Sequence, residues 1–468
     1  MLMNDGSLAL ADADHEDPLY VIEESPLLAR QKEQESNARS YPRRIPLALK
    51  KGKGVYVEDV EGRTYIDCLA GAGALVLGHN HPVVIDAMRR VLDNDLPLLT
   101  LDLSTPIKDQ FVQDLFSLLP ESLRHQVKIQ FCGPSGTDAT EAALKLVRTA
   151  TGRSMILSFH GAYHGMSQGA LSLMGNLGPK TPLGAILNNN VQFLPYPYDF
   201  RCPFGLGGEQ GIKANLNYIE NLLTDPESGV QLPAGVIVEA IQGEGGVIPA
   251  DLDWLRGLRR ITEAAGIPLI VDEIQTGFGR TGTMFAFEQA GITPDAIILS
   301  KAIGGSLPLA VLVYSDQLDT WRPGAHAGTF RGNQLAMAAG SAVMAYLISH
   351  DIPSHASAMG MRLRSHLQEL QRTYPQLGDV RGRGLMLGVE LVDPDQVPNV
   401  QGHYPSDGRL AVRVQQECLK RGLILETGGR HSSVIRFLPP LIISEEEIDR
   451  IAVIFGNALA AALLKDLG

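Results

Sequence analysis

The sequence predicts an α/β protein: a large domain on a mostly parallel seven-stranded sheet, with a smaller α+β domain beside it. Three observations carry that expectation. Seven short apolar runs, "VKIQFC", "SMILSFH", "VQFLPY", "AGVIVEAI", "IPLIVDEI", "DAIILSK" and "LAVLVY", lack the polar alternation of half-exposed strands, as strands buried on both faces do. Helical patterns separate these runs, and helices between buried strands imply parallel crossovers. The chain, at 468 residues, is long enough for two or three domains with a large core.

The elements follow in order. Residues 1–46 read as an N-terminal arm, acidic and weakly periodic, loosely held, with one short helix around Glu33 to Arg39. Residues 47–82 read as the first part of the small domain, where "GKGVYVEDVEGRTYIDCL" alternates apolar and polar residues about the turn Glu61-Gly62 and predicts a β-hairpin. The large domain spans 83–335 and holds the seven runs. The rest of the small domain, 336–468, takes in most of the helical stretch "NQLAMAAGSAVMAYLISH" and continues with strands at "GLMLGVELV", "GLILETGG" and "SVIRFLPPL".

Composition excludes several classes. A net charge of -12 with only short basic clusters, such as Arg43-Arg44 and Arg259-Arg260, argues against a nucleic-acid surface. No apolar run approaches the ~18 residues of a membrane span, and the acidic N-terminus is unlike a signal peptide, so a cytoplasmic protein is expected. Cys68, Cys132, Cys202 and Cys418 lie far apart with no C-x-x-C pair, which points to reduced thiols. His79 and His81, and His160 and His164, have spacings a metal can use, but no nearby carboxylate or cysteine completes a ligand set, and no metal is expected.

Ligands of α/β sheets collect at the carboxyl ends of the strands, and these positions are polar here. After "VKIQFC" comes "GPSGTDATEAALKLVR", in which Gly133, Ser135, Gly136 and Thr137 form a turn opening into a helix. Such a turn can cradle a phosphate with backbone N–H groups, hydroxyls and the positive end of the helix; the same residues also serve as ordinary helix caps. Asp272 ends the buried run "IPLIV", where a carboxylate is costly unless it meets a cation or strong donors. Lys301 follows "DAIILS" and precedes Gly304-Gly305; burial there can lower its pKa and make its amine a nucleophile toward an aldehyde, although surface lysines are common at strand ends. Asp272 and Lys301 lie 29 residues apart, about one βαβ unit, which puts them on neighbouring strands facing one crevice.

A phosphate cup, a buried aspartate and a strand-end lysine match the demands of pyridoxal phosphate. From Gly52 onward, "LGHNHPVVIDAM", "FHGAYHG", "VEAIQGEGG", "VDEIQTGFGRTG", "LSKAIGGSLPL", "GTFRGNQLA" and "VIRFLPPL" occur in the order of the motifs of class III aminotransferases, and the chain resembles that branch of the fold-type I pyridoxal-phosphate-dependent transferases. The resemblance implies that Lys301 carries the cofactor, Asp272 pairs with its ring nitrogen, Gln275 reaches its phenolic oxygen and Tyr163 stacks on its ring. It groups Ser135, Gly136 and Thr137 as the phosphate turn, with His164 and Glu239 also against the cofactor. Thr329 resembles the residue that closes the phosphate of a partner subunit, which implies a homodimer with shared sites. Arg436 resembles the fork for a substrate carboxylate, and Glu244 the glutamate that masks it while an amine donor is bound. Met166 stands where some relatives carry an arginine for a distal carboxylate.

The stretches "KIQFCGPSGTDATEAALKLVRTATGR", "SLMGNLGPKTPLG" and "LPYPYDFRCPFGLGG" are most similar to the diaminobutyrate-2-oxoglutarate branch of the family, including members that feed pyoverdine-like siderophore synthesis. This implies exchange between L-2,4-diaminobutyrate and 2-oxoglutarate. The alternatives are another ω-aminotransferase, acting on ornithine, 4-aminobutyrate or a similar donor, and a pyridoxal-phosphate-dependent aminomutase. A dehydrogenase finds no support, because no G-x-G-x-x-G follows the first strand of a βαβ unit.

Overall fold

The computed structural model describes residues 18–187 and 190–464. The chain opens with a meander of β1 (Leu49–Lys53), β2 (Tyr56–Asp59) and β3 (Thr64–Asp67), all antiparallel. Its second turn falls at Glu61-Gly62, as the alternation predicts. The Asp59 carboxylate holds it, accepting from the N–H groups of Glu61 (3.0 Å) and Arg63 (2.9 Å) and from the Arg63 guanidinium (2.7 Å), while Gly62 takes the left-handed φ of +81°.

All seven apolar runs become strands of one sheet: β4 (Val127–Phe131), β5 (Ile156–Phe159), β6 (Val191–Leu194) and β7 (Gly235–Glu239), then, past a short antiparallel pair β8 (Ile241–Gln242) and β9 (Ile248–Pro249), β10 (Leu269–Asp272), β11 (Ala296–Leu299) and β12 (Val311–Ser315). Their order across the sheet is β4-β12-β11-β10-β7-β5-β6, parallel except for β12, which runs against both neighbours. Every residue of β5, β7, β10 and β11 is buried, which is why these segments carry no polar alternation. On one face the helix Gly136–Thr151 packs Ala142, Ala143, Leu146 and Val147 against Ile270, Ile298 and Leu312.

Toward the C-terminus come β13 (Leu377–Arg383), β14 (Met386–Leu391), β15 (Leu423–Ile424), β16 (Glu426–Gly428) and β17 (Val434–Phe437). β15 adds in parallel to β3, so the opening hairpin and the C-terminal segment share a sheet. The run "GLILETGG" thus divides at Leu425: β15 joins the first sheet and β16 joins β13, β14 and β17 in another.

The arm differs from expectation. Its helix is Pro26–Gln34, not Glu33–Arg39: Ser25 Oγ accepts from the Leu28 N–H (3.3 Å), Pro26 fixes the first turn, and the chain leaves helical geometry at Glu35. A second turn of helix covers Tyr41–Arg44. The described part of the arm is also held in place, since the Tyr20 N–H donates to the Lys420 carbonyl (2.7 Å) and its ring lies 5.3 Å from that of Tyr65. Residues 1–17 of the arm lie outside the described residues. Among the described residues no single helix is long and apolar enough to cross a membrane; the helices Gln334–Ser349 and Ile352–Thr373 reach that hydropathy only together, across a 70° bend.

Candidate active site

A cavity of about 300 Å³ opens at the carboxyl ends of the central strands. Asp272 and Lys301 both line it, and β10 and β11 are adjacent and parallel, so the two groups come from neighbouring strands. Ser135, Gly136, Thr137, Tyr163, His164, Glu239, Glu244 and Gln275 line the same cavity.

Asp272 is buried at the end of β10. Its Oδ1 accepts from the Ile274 N–H (3.0 Å) and its Oδ2 lies 2.8 Å from Nδ1 of His164. Burial works against a charged imidazole, but the hydrogen bond and charge of Asp272 outweigh it and raise the His164 pKa. Nε2 of His164 is buried with no hydrogen-bond partner. Glu239, opposite Asp272 on β7, accepts from the N–H groups of Tyr163 (3.1 Å) and Gly243 (3.0 Å), and burial pushes its carboxyl up to about 7 against the pull of His164. That carboxylate thereby fixes the backbone at Tyr163, whose ring remains 36% exposed toward the cavity.

Lys301 sits two residues past β11 with a left-handed φ of +52°, a conformation costly for a residue with a Cβ and typical of residues held at functional sites. Burial lowers its pKa, with the Arg436 charge adding to the effect and Glu244 and Asp272 opposing it. The glycine four residues after it is needed sterically: a Cβ on Gly305 would come within 2.5 Å of the Ala339 backbone, and Gly305 itself has φ +57°.

The turn between β4 and the helix Gly136–Thr151 is held from outside the cavity. Asp138 Oδ2 accepts from the Gly133 N–H (2.6 Å) and lies 2.9 Å from Nε2 of His326. Ser135 is the N-cap residue but its side chain makes no capping bond, so its hydroxyl is left to the cavity. Thr137 Oγ1 is 2.6 Å from Ser167 Oγ and accepts from the Ser167 N–H (2.9 Å). Glycines allow close approach here: a Cβ on Gly136 would sit 2.6 Å from Ile274 Cδ1, and one on Gly165 2.4 Å from Thr137.

Two expected site residues do not line the cavity. Arg436, fully buried on β17, reaches it through others, donating to Glu244 Oε1 (2.7 Å) and Gln275 Oε1 (3.1 Å). Gln275 in turn donates to the Ala72 carbonyl (2.9 Å). Thr329 is exposed on the turn Thr329–Gly332, outside this cavity.

Sequence reasoning missed Glu426, whose Oε2 lies 3.2 Å from Arg436 Nη1, and Ser167, which locks Thr137. The first left a signal, a carboxylate inside the apolar run "GLILETGG"; the second left none. It also missed a cluster of Cys132, Asp138 and His326, whose polar atoms lie within 4.8 Å of one another. Burial holds the Cys132 thiol well above its usual range, so in this arrangement Asp138 and His326 serve as a hydrogen-bonded clamp on the turn.

Comparison with solved structures places the fold. An (S)-enantioselective omega-transaminase from Thermomicrobium roseum superposes with a TM-score of 0.81 at 28% identity over 94% of this chain and 98% of the other. An amine transaminase from an uncultivated Pseudomonas species, solved with PLP bound, gives 0.80 at 27% identity over 92% and 97%. Fold and cavity together define a fold-type I, pyridoxal-phosphate-dependent transferase. Residues 37–459 match the aminotransferase class-III family, and the chain belongs to that family. Among curated relatives, the Rhizobium meliloti (strain 1021) protein called diaminobutyrate--2-oxoglutarate aminotransferase is 58% identical, over 93% of this chain and 92% of its own length. The Haemophilus influenzae (strain ATCC 51907) protein of the same name is 51% identical over 93% and 95%.

The residues present fit pyridoxal phosphate. A buried carboxylate is backed by an imidazole whose outer nitrogen has no partner, a lysine of lowered pKa shares the cavity, and the turn Ser135-Gly136-Thr137 lines it with the Ser135 hydroxyl making no capping bond.

Proposed function

We propose that the enzyme transfers the distal amino group of L-2,4-diaminobutyrate to 2-oxoglutarate, giving L-aspartate 4-semialdehyde and L-glutamate. The reaction is reversible, takes place in the cytoplasm, and supplies diaminobutyrate for siderophore synthesis. The observation that carries the transfer is the Glu244–Arg436 pair at 2.7 Å beside Lys301. A guanidinium covered by a carboxylate suits a donor with an uncharged chain next to its reacting amine; once uncovered, it binds the carboxylate of an α-keto acid bidentately. Glu244 stands on a turn with its side chain 39% exposed, so it has room to leave. The names of the two relatives, each more than half identical, support the choice of donor.

Lys301 would hold the cofactor covalently, Asp272 its ring nitrogen, Gln275 its phenolic oxygen and Tyr163 its ring face, with Ser135, Gly136 and Thr137 on the phosphate and His164 and Glu239 supporting this set. When bound, pyridoxal phosphate supplies an electron sink for the negative charge that develops at the donor carbon. The lowered pKa of Lys301 would let its Nζ act as the base that takes a proton from that carbon and as the acid that gives it up again. Asp272, backed by His164, would hold a proton at the ring nitrogen, and Gln275 is aligned by both Arg436 and Ala72.

The working form is a homodimer in which the partner's Thr329 closes the phosphate site. Leu98, Leu99, Leu101 and Leu103 are each more than 40% exposed, as is Phe330 next to Thr329. The two segments are tied together by Thr100 N–H to the Gly332 carbonyl (3.2 Å) and Gln334 N–H to the Leu98 carbonyl (3.0 Å). This apolar surface around Thr329 suits a second copy of the chain.

The test is product analysis with the loaded enzyme. Equimolar glutamate and trapped aldehyde from L-2,4-diaminobutyrate and 2-oxoglutarate are expected. Turnover without loss of keto acid would mean an aminomutase, and faster turnover of ornithine or 4-aminobutyrate would mean a different ω-aminotransferase.

A further inference from the structure

Arg436 meets two carboxylates, and they are built differently. Glu244 belongs to the turn between β8 and β9, with its side chain 39% exposed. Glu426 belongs to β16, directly opposite Arg436 in the antiparallel register of β16 and β17, with its side chain 4% exposed and Oε2 3.2 Å from Nη1. A turn residue can swing away. The backbone of a residue in a strand pair cannot shift without breaking the ladder that also positions Arg436, and the buried Glu426 side chain is enclosed by packing. The Glu426 Oε2 makes no hydrogen bond besides that ion pair, and the Tyr41 hydroxyl of the arm lies beside the carboxyl.

The buried core of the cluster therefore holds one guanidinium against two carboxylates. Lys301 and the exposed Arg44 also act on Glu244 from the cavity side. Burial raises the Glu426 pKa, Arg436 opposes this, and Glu244 adds to it. When Glu244 leaves, Arg436 still has Glu426 3.2 Å away, so an incoming carboxylate meets a guanidinium that already has a partner.

We propose that Glu426 is a positioning residue that acts through Arg436 as a carboxylate fixed in the strand ladder, weakening the grip on anions and favouring donors that bear a second ammonium. This rests on the donor proposed above. L-2,4-Diaminobutyrate and 4-aminobutyrate have the same carbon chain and differ only in the α-ammonium, so their comparison isolates the effect.

The experiment uses cofactor-loaded wild type, Glu426→Gln and Glu426→Asp. For each, kcat and KM are measured with both donors, and the Kd of glutarate, an unreactive dicarboxylate, is measured by calorimetry. In Glu426→Gln the preference in kcat/KM for diaminobutyrate over 4-aminobutyrate should fall roughly tenfold, mainly through KM, while glutarate binds several-fold more tightly. Glu426→Asp should keep most of the preference. Equal loss with both donors, or an unchanged preference and glutarate Kd, would overturn the proposal, and so would a Glu426→Asp enzyme that behaves like Glu426→Gln. If Glu426→Gln fails to fold, a Glu426→Asp enzyme with the wild-type preference and glutarate Kd supports the proposal and one without them overturns it. A wild type with no preference between the two donors would instead count against the proposed substrate.

Discussion

Nδ1 of His164 lies 2.8 Å from Oδ2 of Asp272, and the two side chains are buried together at the end of β10. With the Ile274 N–H on its other oxygen, the carboxylate is fixed in position. His164→Phe removes one charge-assisted hydrogen bond, so cofactor affinity should drop roughly tenfold or more, as read by absorbance titration of apoprotein. Unaltered affinity would detach His164 from the site.

Lys301→Ala should abolish the covalent lysine–cofactor linkage, detected as loss of the mass adduct after borohydride reduction. Turnover should fall by roughly 10²–10⁴-fold or more, the usual contribution of a positioned general base, with the covalent role lost as well. Retention of both adduct and turnover refutes the assignment.

Arg436→Lys keeps a charge but loses the planar fork. KM for 2-oxoglutarate should rise at least about tenfold, with a much smaller change in KM for the donor. Arg436→Ala leaves Glu244 and Glu426 without their partner and should lower stability by about 3–5 kcal/mol, seen as a reduced midpoint in urea.

Glu273 is fully buried next to the site, and burial pushes its carboxyl up to about 7 from 4.5. The folded state keeps this proton where the unfolded chain releases it, so the stabilising contribution is complete below pH 4.5 and is lost as pH rises through about 7. The change amounts to about 3 kcal/mol. Glu239, also raised to about 7, acts in the same direction. In urea unfolding, Glu273→Gln should therefore gain on wild type between pH 4.5 and 7.5. A gap that stays constant with pH would show that Glu273 is ionised in the fold.

If the partner's Thr329 completes each site, Thr329→Arg and Lys301→Ala homodimers should both be inactive, while their mixed dimer regains one working site. Co-refolding the two and assaying the mixture checks this, and no recovery of activity would sink the shared site.

Much of this was legible in the chain. The apolar runs gave the seven strands because burial on both faces leaves a local composition mark, and Asp272 and Lys301 stood out as polar groups at the ends of such runs. The helix of the arm fell seven residues earlier than expected because Ser25 and Pro26 outweighed the charge pattern that follows. Ser167 on Thr137 and His326 on Asp138 had no visible mark, since each joins residues far apart, 30 and 188 positions respectively.

By itself the sequence determined which segments would be buried strands and which chemical groups would stand at their ends, because side-chain polarity and spacing are local properties. Only the tertiary structure decided how those groups meet: that Arg436 faces two carboxylates, one on a turn and one on a strand, follows from the register of β16 against β17 and from the docking of Glu244, 192 residues away in the chain. Pairings of that kind are set by the packing of whole elements, which no window of sequence contains.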